Sequence, residues 1–189
     1  MSLAQVVTDL GNPVVASAAA LVLLAFGWLR LNRLVAAVFV VGLVGVVALT
    51  AVLKQISQAT SPPPWLAAPL ELSSGAPSGH AVLATVVYGC AAVLFVRTGK
   101  GLPALAGGLM SLAAILGVAV TRVTLQTHTL ADVAAGLVVA LPVVALFARA
   151  VAVQCDRGRV RVGLLLAGLI LLPGLALLSG FRFSEPKIF

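Results

Sequence analysis

Charge is scarce in this chain. Of 189 residues only 9% are Asp, Glu, Lys or Arg, five acidic and twelve basic, where a soluble domain carries roughly 25%. So few charges cannot hydrate the surface of a 19.1 kDa globule, which excludes an ordinary soluble domain. Cysteine is almost absent too. Cys90 falls in an apolar run and Cys155 in a polar loop, so no disulfide framework is expected. Histidine is limited to His80 and His128, which leaves no Cys/His zinc pattern and no implied metal or cofactor. The formal charge of +7 comes from residues that punctuate apolar runs instead of clustering on one face, which argues against nucleic acid as a partner.

What the chain does have is long uncharged runs. A helix needs about 20 apolar residues to cross a bilayer, and six stretches qualify. They are 10–29, 34–53, a third within 72–96 starting at Ser78, 101–121, 130–148, which carries Asp132 near its start and Pro142 inside it, and 162–181. Runs this long without alternation exclude a β-barrel. The expectation is an all-α integral membrane bundle of six transmembrane helices, forming a single domain over 1–189. Before the first span, Leu3, Val6, Val7 and Leu10 recur at helical spacing, which predicts a short amphipathic helix lying in the membrane interface. It has no positive segment ahead of the apolar run, so it does not read as a cleaved signal peptide. Gly42, Gly45, Gly107, Gly108, Gly117 and Gly136 are expected where helices approach closely.

Orientation follows the basic residues. One set of loops holds Arg30, Arg33, Arg97, Lys100, Arg149, Arg157, Arg159 and Arg161; the other holds Lys54, Arg122, Arg182 and Lys187. The first set is expected to face the cytoplasm. The 54–77 and 121–131 segments then face outward from an inner (plasma) membrane. The longer of these contains Ser61, three prolines and Trp65, a stiff stretch that reads as a surface anchor or a rest for a lipid.

Ionisable groups near membrane helices are costly and call for a reason. Lys54, His80, Arg122, His128 and Asp132 all fall on the outward side. His128 and Asp132 are four apart and share a helical face, so the carboxylate would fix one imidazole nitrogen and leave the other as nucleophile. Lys54 and Arg122 are cations suited to an anion, although Lys54 also reads as a lysine reaching for the interface. Ser78 is placed as an N-cap, and the Ser78-Gly79-His80 amides open a helix N-terminus, a natural phosphate site. Gly79 allows close backbone approach, and His80 would protonate a leaving oxygen. A nucleophile, an orienting acid, cationic clamps and a general acid together describe phosphoryl transfer through a covalent histidine.

These residues resemble the type 2 phosphatidic acid phosphatase (PAP2) superfamily. Pro77-Ser78-Gly79-His80 matches its PSGH motif, and Thr121-Arg122, then His128 and Asp132, match its S/T-R-x5-H-x3-D motif. The motif core runs from about 54 to 132. The resemblance implies a helical core shared with vanadium haloperoxidases and metal-independent hydrolysis of a membrane lipid phosphate or diphosphate. It implies His128 as the phosphohistidine, Asp132 as its orienting partner and His80 as the acid. Lys54, Ser78, Gly79 and Arg122 would hold the phosphoryl oxygens. A polyprenyl phosphate or diphosphate, phosphatidate, phosphatidylglycerol phosphate or a phosphorylated prenyl sugar would each suit.

One position departs from the pattern. The family's first motif is K-x6-R-P, and here Lys54 is followed at that spacing by Ser61-Pro62. Ser61 reads first as a turn residue before proline; as a ligand it would donate a neutral hydrogen bond. A missing charge-assisted contact of about 1.5–3 kcal/mol slows turnover by about one to two orders of magnitude. A substrate with fewer charges would also fit, as would a catalytically silent lipid-binding scaffold, or a transferase passing the phosphoryl group to an alcohol. Ser61→Arg is expected to tighten phosphate binding, measured as a lower Ki for inorganic phosphate; unchanged or weaker inhibition would show a pocket adapted to another headgroup.

Overall fold

A computed structural model describes residues 2–60, 75–154 and 162–179, and every regular element among them is helical. Ser61, the Pro62–Trp65 stretch, Cys155 and Arg182 lie outside the described residues. The helices are α1 (Leu3–Asp9), α2 (Pro13–Phe26), α3 (Arg33–Thr60), α4 (Gly79–Thr98), α5 (Gly101–Thr124), α6 (Leu130–Gln154) and α7 (Val162–Leu178), with a single π turn at Gly27–Leu31 after α2. Five are long and apolar enough to cross a membrane, α2 counted with its π turn, while α7 has 17 residues.

Local sequence explains the boundaries. Asn12 caps α2 by accepting from the Val14 amide at 3.0 Å, with Pro13 in the first helical position. The π turn then delivers Arg33, whose guanidinium lies 5.2 Å from the centre of the Trp28 ring. Lys54, expected to close the second span, lies inside α3 instead. Residues 55–60 contain no helix breaker before Pro62, so the helix runs on. The 55–77 connection is shorter by the same amount.

α4 is the hub. Of its most apolar stretch 72% is buried, against 28% for α3 and for α5. It packs against α5 and α6 most extensively and also against α2 and α3. The outer helices turn valines and leucines away from the bundle, Val41 and Val44 among them, as expected where the surrounding solvent is hydrocarbon. Phe39 and Phe147 meet edge to face, with centroids 5.9 Å apart, where α3 crosses α6.

Glycine sets the closest approaches. A Cβ on Gly42 would lie 2.6 Å from Val143, and one on Gly107 would lie 2.4 Å from the Phe95 ring. Gly117 meets Val7 and Gly136 meets the Ser78 carbonyl, while Gly89 and Gly168 do the same work against Val144 and Val22. Gly45 has nothing within 4 Å and Gly108 only an ordinary contact, so the close-packing expectation fails at these two. The N-terminal helix forms where the spacing predicted it. α1 docks on α5 through Val7 and Gly117, and Thr8 is buried, although Leu3 stays exposed.

Gly107→Ala is expected to destabilise the bundle by about 1–3 kcal/mol through overpacking against Phe95. Gly45→Ala is expected to leave thermal unfolding in detergent at or above that of the parent; equal midpoints for both variants would refute this account of the packing.

Candidate functional site

Four helix ends converge at one end of the bundle: α3 and α5 run into it, α4 and α6 start from it. The segment entering α4 turns through Gly75, at φ +83°, a conformation that suits glycine. The next amide, from Ala76, donates to Ser57 Oγ at 3.0 Å, one turn beyond Lys54 on α3. That bond ties the entry of α4 to the end of α3. A Cβ on Gly79 would lie 3.9 Å from Lys54 Nζ, so the ammonium sits over the first turn of α4. A cation beside the positive end of a helix is unfavourable by itself. The arrangement is suited to an anion held between them.

Ser78 occupies the N-cap position but its side chain makes no capping bond. Its Oγ is buried and has no hydrogen-bond partner. Its amide instead leaves the helix and donates to the Asp132 carbonyl at 3.0 Å, linking the starts of α4 and α6. One turn along α6, a Cβ on Gly136 would lie 3.0 Å from the Ser78 carbonyl. The two helices approach this closely only because that side chain is missing.

Asp132 is held on two sides. Thr129 and Asp132 form a reciprocal cap at the start of α6. The Asp132 carboxylate accepts the Thr129 amide at 2.9 Å, and Thr129 Oγ1 accepts the Asp132 amide at 3.2 Å. The same carboxylate oxygen lies 3.7 Å from His128 Nδ1, a contact longer than a hydrogen bond. The imidazole is fully buried. With Nδ1 turned to the acid, Nε2 is on the opposite edge of the ring.

The loop that carries His128 is built on one carbonyl. Arg122 O accepts the Thr127 and His128 amides, each at 3.2 Å, and the Thr127 hydroxyl at 3.0 Å. The Gln126 amide bonds Val123 O at 3.0 Å. These 6→1 and 5→2 bonds make a Schellman end to α5, with Gln126 in the left-handed position at φ 55° where glycine is usual. The Thr121 hydroxyl, part of the sequence motif, bonds back to Gly117 O and Val118 O within α5.

The structure therefore brings Lys54, Ser78, Gly79, Arg122, His128 and Asp132 into one chain of contacts, with His80 in the first turn of α4. Ser61 lies outside the described residues. Ser57, Gln126, Thr127 and Thr129 shape the site without having been singled out from sequence, and Gly136, expected only as a close-packing glycine, shapes it too. Thr129-x-x-Asp132 is a capping pattern open to sequence reading; the others depend on contacts between elements. Among the described residues no three His, Cys, Asp or Glu side chains gather as a metal site requires.

The profile of the PAP2 superfamily matches residues 33–155, well over half of the chain. The chain belongs to this superfamily, generally one of phosphatases, and is a multi-pass membrane protein. No curated protein and no solved structure matches it.

Thr129→Ala is expected to cost about 0.5–2 kcal/mol by removing the cap, read as a lower unfolding midpoint, with Thr129→Ser restoring most of it. An unchanged midpoint would mean that the reciprocal bonds do not hold the start of α6.

Proposed function

We propose that the protein is a lipid phosphatase that opens a phosphate monoester or diphosphate through a phosphohistidine on His128. The carrying observation is the convergence of Lys54 Nζ, the buried Arg122, two helix N-termini and the His128–Asp132 pair at one bundle end, in a chain that belongs to the PAP2 superfamily. Lys54 Nζ, the Arg122 guanidinium, the first amides of α4 and the unpartnered Ser78 hydroxyl hold the nonbridging phosphoryl oxygens. Nε2 of His128 attacks phosphorus while the bond to the leaving oxygen breaks, and His80 gives that oxygen its proton. Water then attacks the phosphohistidine, and His80 takes the water proton as the N–P bond breaks. Phosphate departs and both histidines return to their starting states. Asp132 stabilises the positive charge that develops on His128 during the first step.

The substrate is a membrane lipid, for two reasons. We read α7 as the sixth and shortest span and, from the distribution of Lys and Arg, take the site to lie near the headgroup layer on the extracytoplasmic side. An apolar cleft of about 260 Å³ between α4, α5 and α7 is lined by Tyr88, Phe95, Met110 and Leu169 and extends to Leu10, which the Tyr88 hydroxyl contacts two turns below His80. It offers a hydrocarbon chain an apolar wall below a polar headgroup site.

Phosphate release from a panel of lipid phosphates and diphosphates in detergent micelles tests the reading. His128→Ala is expected to abolish turnover, His80→Ala to lower kcat about 10²- to 10⁴-fold, and Lys54→Ala to raise KM about 10- to 100-fold. The requirement for one protonated and one neutral histidine gives a bell-shaped pH profile. Turnover that survives in His128→Ala, or a parent protein silent across the panel, would overturn the proposal.

A further inference from the structure

We propose that the Leu10–Gly11 corner, tethered by Tyr88, is a positioning device that sets His80 against Arg122; this rests on the phosphatase reading above and adds residues outside the family match of 33–155. His80 is the second residue of α4, and what packs against its backbone fixes where its ring begins. Gly11 packs there. A Cβ on Gly11 would lie 2.7 Å from the His80 carbonyl oxygen and 3.0 Å from His80 Cβ. The same atom would lie 2.9 Å from Val118 Cγ1, on the other side of the corner. Val118 is fully buried and precedes Arg122 by one helical turn. Gly11 thus fills the gap between α4 and α5 at the level of His80, and the bulk of residue 11 decides how far His80 stands from Arg122.

The corner itself is braced. Leu10, Gly11 and Asn12 donate their amides to Val7, Thr8 and Asp9 carbonyls at 3.2, 3.0 and 3.0 Å, and Asn12 caps α2. Two turns below His80 on the same helix, the Tyr88 hydroxyl donates to the Leu10 carbonyl at 3.2 Å. Val7 presses on Gly117 of α5. The corner is therefore fixed to α4 at Tyr88 and His80, and to α5 at Gly117 and Val118. A misplacement of about 1 Å in a reacting group is enough to cost about 10² in rate, and an added methyl at Gly11 forces a shift against the backbone of His80.

The test separates positioning from plain folding by the leaving group. An alkoxide needs a proton from His80 to depart, whereas 4-nitrophenolate leaves without one. The probes are dioctanoyl phosphatidate and 4-nitrophenyl phosphate, compared as kcat/KM so that only the step forming phosphohistidine is read. Gly11→Ala is expected to lower kcat/KM for phosphatidate about 10- to 100-fold, mostly in kcat, and that for 4-nitrophenyl phosphate by less than about threefold. Tyr88→Phe, which keeps the ring and removes the tether, is expected to give the same selective loss at about three- to tenfold. Gly45→Ala, in open space on α3, is expected to match the parent on both substrates. Equal losses on both substrates, or no loss in either corner variant, would overturn the inference and leave the phosphatase reading standing. A parent protein inactive on both probes would overturn the two together.

Discussion

The hydrogen bond from the Ser78 amide to the Asp132 carbonyl is the joint on which the site depends. It connects two helix starts that belong to different sequence motifs. A backbone amide at an N-cap usually faces water or a side chain; here it reaches across to another helix. Ser78 is fully buried, and with few waters to compete such a bond holds its geometry better than in bulk solvent. Gly136 makes it feasible by letting α6 close on α4. The proposed phosphate-binding turn and the proposed nucleophile then share one rigid frame.

Around that joint the electrostatics are lopsided. The N-termini of α4 and α6 both point into the site, and each carries a partial positive charge. Lys54 adds a full charge over the first. The one nearby acid in these contacts, Asp132, is engaged by the Thr129 amide and by His128. A surplus of positive potential in a poorly screened setting attracts anions more strongly than the same charges would in water. Acids are scarce in the chain, five against twelve basic residues, so little opposes this potential.

Much of this was readable from the residues. The uncharged runs marked the helices. His128 and Asp132 were expected on one helical face, but His128 precedes α6 in the loop, and it is the turn at Thr129 that sets its Nδ1 3.7 Å from the carboxylate. The start of α4 at Ser78 followed from Pro77-Ser78-Gly79. What escaped was information held between elements. Lys54 seemed to end a helix because charge ends apolar runs, yet no breaker follows it and α3 continues. The Leu3–Leu10 pattern announced a helix but not its neighbour; Gly117, which meets Val7, stands more than a hundred residues away. Ser78 looked like an ordinary cap, and only the approach of Asp132 shows that its amide is the working part. Gln126 gave no signal, since its left-handed conformation is demanded by the Schellman bonds and not by its own preference.

The Arg122 carbonyl carries a consequence of its own. Three donors from residues 127 and 128 anchor to it, so the main chain at 122 locates the loop while the guanidinium supplies charge. Location and charge thus sit in one residue but in chemically independent parts. Lysine, glutamine or methionine at this point would alter the potential felt by an incoming anion and leave the scaffold beneath the imidazole where it is.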